Sequence, residues 1–281
     1  MRKTLSIILI FVFILSTSNI VFADINDKLS NHWAKDKIRK DFVIKYFPYL
    51  ANDDFKHFNP NGTIREDEFL LSFSSLLKDK GYKNSIVGEK INLNRAKMAN
   101  IVGKKLIEES IIPVSNEKTT FKDINQLSKE EKESIAALYS KNLISGISNT
   151  KYAPFRNVTQ AEAIIFLERV NDLLNDVSNI SFKVLGRAES YSGKEGITVK
   201  TKNNKVLVTI TKSFPTSGYD VTVNKVIKSG NDLIISLNIS PPSKGSDQLQ
   251  VITYKIITIE IDKKDIGNPP YNFIMGDIFM I

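Results

Sequence analysis

Two periodicities divide this chain. Up to about residue 177 the apolar positions recur at helical spacing. Phe69, Leu70, Phe73, Leu76 and Leu77 form one stripe within Asp67 to Lys78, and Met98, Ile101, Val102 and Leu106 another within Arg95 to Ile107. Ile135, Leu138 and Leu143 mark the run from Lys129 to Leu143. Ile164, Ile165, Leu167, Val170, Leu173 and Leu174 mark the run from Ala161 to Leu174. Each stripe is wide enough to pack on neighbours, which predicts amphipathic helices. From about residue 180 the period drops to two. Gly196 to Thr201, Val206 to Ile210, Tyr219 to Val223, Leu233 to Ile239 and Gln250 to Ile261 alternate between Asn- and Gly-containing turns. That pattern predicts an antiparallel β unit. The expected fold class is therefore multi-domain α plus β. An all-α region over 24–177 precedes a small antiparallel β domain over 178–281, with the boundary near Asp176–Ile180.

Within the helical half a cassette recurs 94 residues apart. Phe58-Asn-Pro60 leads after three residues to Ile64, and Glu68 follows; Tyr152-Ala-Pro154 leads likewise to Val158 and Glu162. A self-match at fixed spacing marks a repeat architecture. Thr159-Gln-Ala-Glu162 reads as a capping box, in which each of the end residues accepts the other's amide. Such a cap is worth about 1 kcal/mol, so Glu162 is expected to be structural. The tail from Asn268 to Ile281 carries Phe273, Ile274, Met275, Ile278 and Phe279, which fits a final strand or packed tail better than a free end.

The N-terminus supplies an address. Arg2 and Lys3 precede an apolar run from Leu5 to Leu15, and Val21-Phe22-Ala23 suits cleavage before Asp24. Residues 1–23 thus read as a secretory signal peptide; Ser16 to Asn19 spoil the alternative of a membrane-spanning anchor. The chain has no cysteine, which excludes a lipobox, a disulfide and a thiolate metal site. Loss of Arg2 and Lys3 takes the formal charge from +8 to +6. The lysines are dispersed. This suits an anionic wall or membrane surface and makes a poor case for nucleic acid.

Further elements align with the cassettes. Ile25-Asn-Asp27 matches Phe121-Lys-Asp123, His32-Trp33-Ala34 precedes Ile38, and Leu93-Asn-Arg95-Ala96 matches the cassette's end. Together they resemble the S-layer homology repeat. Repeat one would span about 25–78, a truncated repeat two about 86–110 and repeat three about 121–174. The resemblance implies a three-repeat helical bundle at a Gram-positive-type cell surface, holding an anionic secondary cell-wall polymer in grooves between repeats. Asp27, Trp33, Arg95 and Asp123 are the polymer-binding residues it implies. The family's motif Arg suits a carboxylate-bearing sugar through its planar fork. Here that position holds Glu66, Arg95 and Gln160, so one groove at most keeps the expected charge.

In the β half, Pro215-Thr-Ser-Gly218-Tyr219, Gly230-Asn231, Ser240-Pro241-Pro242 with Gly245, and Thr253-Tyr254 resemble the C-terminal domain of the PrcB family. That family is named for a subunit associated with a surface protease, so a protease or another envelope protein is the implied partner. Gly218, Tyr219, Pro241, Pro242 and Tyr254 are the first candidates for partner contact. Gly218 is expected to use a backbone angle other residues resist.

Enzyme signatures are missing. There is no Cys nucleophile, the two histidines His32 and His57 both fall in repeat one, and no G-x-S-x-G, P-loop or dinucleotide fingerprint occurs. No cofactor is expected. The reading is a secreted, wall-associated, non-catalytic protein. The alternatives are a wall hydrolase or carbohydrate-binding accessory, or a repeat relic that only docks protein.

Overall fold

The computed structural model describes residues 24–83, 87–115, 119–243 and 249–280. The signal-peptide segment and Gly245 lie outside them. Helices α1 (Ile25–Leu29), α2 (Lys40–Tyr46), α3 (Pro48–Phe55), α4 (Glu66–Asp79), α5 (Arg95–Glu108), α6 (Lys129–Ser140) and α7 (Gln160–Asn175) come first. Strands β1 (Val177–Asn179), β2 (Phe182–Ser190), β3 (Gly196–Lys202), β4 (Lys205–Phe214), β5 (Asp220–Ser229), β6 (Asp232–Ser240) and β7 (Thr253–Asp262) follow. A short helix α8 (Lys263–Ile266) and a last strand β8 (Asn272–Met280) end the chain. The protein is thus α plus β, with its helices ahead of two sheets. Among the described residues no helix is long and apolar enough to cross a membrane.

Helices α4 to α7 follow the predicted stripes. Helices α2 and α3 were not anticipated, although Phe42, Val43, Tyr46, Phe47 and Leu50 are all buried. Residues around Trp33 form turns rather than a helix start, with Lys35 N–H donating to His32 O (3.1 Å) and Lys37 N–H to Ala34 O (3.0 Å).

The segments entering α4, α5 and α7 close on one another in a ring. Ile64 N–H donates to Val158 O (3.0 Å), Val158 N–H to Leu93 O (2.8 Å) and Leu93 N–H to Ile64 O (3.1 Å). A second set two residues on runs the other way round the ring: Glu66 to Ile91 (2.9 Å), Arg95 to Arg156 (3.1 Å) and Gln160 to Gly62 (2.7 Å). A third runs from Asp67 to Glu89 (3.1 Å), Ala96 to Pro154 (2.9 Å) and Ala161 to Pro60 (3.3 Å). The donors of the last two sets are the first amides of their helices, which have no partner inside the helix. Ile64, Leu93 and Val158 are fully buried within the ring.

The β half has two four-stranded sheets, ordered β1-β5-β6-β8 and β2-β7-β4-β3. Val206, Val208 and Ile210 of one sheet and Leu233, Ile235, Leu237 and Ile239 of the other share a core with Ile257, Ile259 and Ile261. The expectation of an antiparallel domain holds for every strand pair except β6–β8, which is parallel. The cause is topological: after β6 the chain passes through β7 in the other sheet before β8 returns. Strand β2 escaped the sequence reading because it lacks alternation; it is an edge strand with a bulge after Val184, and its interior residues are exposed. The segment 215–219 arches from one sheet to the other before the β5–β6 hairpin.

The two halves touch. Ser236 donates to Ser110 across 2.5 Å, both side chains being buried. Lys225 Nζ donates to Glu109 O (2.7 Å), and Lys141 pairs with Asp232, which also accepts from Asn272 Nδ2 (2.7 Å).

On α7, Glu168 accepts the Arg39 amide (2.8 Å) and lies 3.5 Å from its guanidinium. Burial nevertheless pushes its carboxyl up to about 7. A raised carboxyl favours the fold while protonated. Its contribution is therefore full below the unfolded value near 4.5 and is lost as pH rises through about 7. Glu168→Gln keeps an acceptor and removes the titration. The variant should gain about 2 kcal/mol on wild type between acid and mildly alkaline pH, read as thermal stability against pH.

Candidate functional site

Glu66, Arg95 and Gln160 occupy equivalent places, each opening a helix of the ring, yet each is spent differently. Glu66 is buried, and the Lys97 ammonium stands 2.5 Å from its Oε2, an ion pair rather than an aligned hydrogen bond. Gln160 Oε1 accepts the Asn59 amide (2.9 Å). Arg95 donates from Nε to Tyr152 O (2.9 Å) and from Nη2 to Ser145 O (2.6 Å), with its guanidinium carbon 4.5 Å from the centre of the Tyr152 ring. Its Nη1 faces Glu162 Oε1 at 3.7 Å. Tyr152 donates back to Arg95 O (3.0 Å), and burial pushes its phenol up to about 12, so it remains a donor.

Beside Arg95 opens a groove of about 190 Å³. Trp33 and Lys37 line one side, Arg169 and Glu162 another, and Met98, Leu143, Ile144, Ile165 and Phe166 supply apolar wall. Trp33 is 54% exposed despite its size, with Lys37 Nζ 5.0 Å from its ring centre. Three cations therefore meet one carboxylate, and that carboxylate is itself clamped. Glu162 accepts the Thr159 amide (3.0 Å), Thr159 Oγ1 accepts the Glu162 amide (3.2 Å), and Arg156 pairs with it. Burial opposes its charge, but Arg156, the Thr159 amide and Arg95 outweigh this and hold Glu162 below the ordinary range. The groove offers an aromatic plate and fixed positive charge, the chemistry of an anionic sugar site.

Of the residues marked in the sequence, Trp33 and Arg95 meet here, although they lie far apart in the chain. Asp27 and Asp123 do not line the groove. Asp27 sits in the first turn of α1 and accepts the Asp24 amide (3.3 Å). Asp123 accepts the amides of Tyr152 (2.9 Å) and Ala153 (2.8 Å), which fixes the loop on which Arg95 leans. Ala153 has φ +58, an angle the Asp123 bonds help to hold. Lys37 and Arg169 were missed. The only signal was Lys37 one helical step after Trp33, and nothing in the sequence tied Arg169 to either.

The candidate partner residues gather at one end of the β half. Tyr219 stacks on Phe214 (4.7 Å, 22°), Pro241 and Pro242 follow the end of β6, and Lys255, next to Tyr254, donates to Ser217 O (2.8 Å). Tyr219 packs partly into the core, while Leu249, Val251 and Ile252, just ahead of Tyr254, and Tyr191, next to the Ser190 that pairs with Tyr254, are exposed. Gly218 is corrected: the described glycines at positive φ are Gly81, Gly196, Gly230 and Gly267, so the left-handed turn lies at Gly230, between β5 and β6.

Asp123→Ala should leave two loop amides without acceptors and cost about 2–3 kcal/mol in denaturant unfolding. Asn in its place should recover part of the loss.

A search of curated proteins found no match. The family model of the S-layer homology domain matches residues 120–164, and that of the PrcB C-terminal domain matches residues 195–262. An S-layer homology domain indicates association with the bacterial cell surface or wall, and a PrcB C-terminal domain suggests a protease-associated role. Both resemblances drawn from the residue patterns are thus matched, one in the helical half and one in the β half.

Proposed function

We propose that this is a secreted, non-catalytic envelope protein that holds to the cell wall through its helical half and docks a protein through its β half. The helical half is read as three S-layer homology repeats, one per segment of the ring. Its working site is the single groove where Trp33, Lys37, Arg95 and Arg169 converge, and that convergence carries the proposal. The ligand is an anionic residue of a secondary wall polymer, its sugar ring on Trp33 and its charge between Arg169, Lys37 and the remaining face of Arg95. The β half offers the loop end around Tyr219 and Pro241 to a partner, and a surface protease is the partner class the PrcB resemblance points to.

A second reading has its own support. Most of the Arg95 guanidinium is bonded within the protein, and the Glu66–Lys97 pair fills the equivalent place elsewhere. Both fit a helical half that has given up polymer and serves only to dock protein. A hydrolase gains nothing from the groove, whose one carboxylate is clamped by Arg156.

Co-sedimentation of residues 24–281 with purified walls separates these readings. Intact walls should retain the chain and polymer-stripped walls should not. Lys37→Gln with Arg169→Gln, both exposed and outside the core, should weaken retention about tenfold. Retention indifferent to stripping and to this pair would leave the relic reading standing. A pellet that carries the chain yet retains no further envelope protein would contradict the partner half.

A further inference from the structure

The other end of the β half is cationic. Strands β3 and β4 turn there, and register places Lys202 directly opposite Lys205. Like charges facing across a hairpin destabilise it. Helix α8 adds Lys263 and Lys264 to the same place, because the Lys263 amide donates to Asn204 O (2.9 Å) in that turn. Lys205 pairs with Asp262 at 2.8 Å and Glu260 at 3.4 Å, and the charge of Lys264 also acts on Asp262. Lys202, Lys263 and Lys264 make no ion pair among the described residues. Between the turn and α8 lies an open cleft of about 510 Å³, lined by Asn204, Asp262, Lys263, Lys264, Gly267 and Asn268.

Glu260, Asp262 and Asp265 offset part of this charge, and Lys202, Lys205, Lys263 and Lys264 leave it positive. The chemistry of this end is specific in three respects. It is lysine without arginine, so it presents point charges suited to phosphate rather than the planar fork that favours carboxylate. The amides of Asn204 and Asn268 line the same cleft and can bond hydroxyls. No exposed large apolar side chain occurs from Lys200 to Lys205 or from Lys263 to Asn268, so nothing there would insert into a bilayer.

We infer that this end of the β half binds a phosphodiester-linked polyol of the wall, with phosphates on Lys202, Lys263 and Lys264 and hydroxyls on Asn204 and Asn268. The site is separate from the groove at Trp33 and takes a different polymer chemistry. It gives the β half a hold on the wall opposite the loops assigned to a protein partner.

The test is retention of residues 24–281 on immobilised poly(glycerol phosphate) at low and high salt. The wild-type chain should bind at low salt and release as salt rises. Lys202→Gln, Lys263→Gln and Lys264→Gln together should weaken binding roughly tenfold or more. The control Lys35→Gln, Lys122→Gln and Lys129→Gln removes the same charge from the helical half. An equal loss there would show diffuse attraction and overturn the site. So would absence of binding at low salt, or a preference for vesicles of equal parts phosphatidylcholine and phosphatidylglycerol over the polymer.

Discussion

Nine main-chain hydrogen bonds, passed cyclically among the segments that open α4, α5 and α7, hold the helical half together. They do two jobs with one set of groups. They join three distant stretches of chain around Ile64, Leu93 and Val158, and they satisfy helix amides that would otherwise lack acceptors. Each such bond contributes about 1 kcal/mol net, and leaving a buried amide unmatched costs more than that. The ring is therefore close to all-or-none, since one segment cannot leave without stranding the donors of another.

Because the ring is built from backbone, it is indifferent to the side chain at the first position of each helix. That freedom explains how Glu66, Arg95 and Gln160 stand in equivalent places without loss of architecture. Where a carboxylate arrived, at Glu66, a lysine stands against it at position 97, where the cassettes of the other two helices carry Glu68 and Glu162. The place is filled by an internal ion pair. Where arginine stayed, Tyr152 and Ser145 bind two of its three nitrogens, and Asp123 braces the Tyr152 loop. Beside Arg95 a groove stays open, in which the added cations come from α7 and from the turn after Trp33.

Much of this was legible in the residues. The cassette spacing located the ring segments, the capping box at Thr159 and Glu162 has the bonds its motif implies, and the period of two located strands β3 to β7. The parts that were not legible share a cause: they depend on which segments meet in space. Arg169 faces Trp33 only because the ring brings α7 beside the first turns. Lys97 meets Glu66 only because the ring brings the start of α5 beside the start of α4. Asp27 and Asp123 fit the family pattern, yet both carboxylates are turned to backbone amides. The tail expected as a final strand or packed tail does form β8, and only its parallel pairing with β6 was not legible; the bulged β2 lacks the alternation that marks a half-buried antiparallel strand.

The β half is fixed to this frame by buried and half-buried polar contacts at Ser110, Glu109 and Lys141, which leaves its two ends with contrasting characters, one cationic and one bearing exposed apolar loops. The account rests most heavily on the open groove, and the chain carries its own reporter there. Trp33 is the only tryptophan in the sequence and is 54% exposed. Titration of residues 24–281 with purified secondary wall polymer, followed by tryptophan emission, should give a saturable blue shift or quench that polymer stripped of its acidic groups does not produce. An emission spectrum unchanged at polymer levels that fully retain the protein on walls would place wall contact elsewhere and contradict the groove as the site.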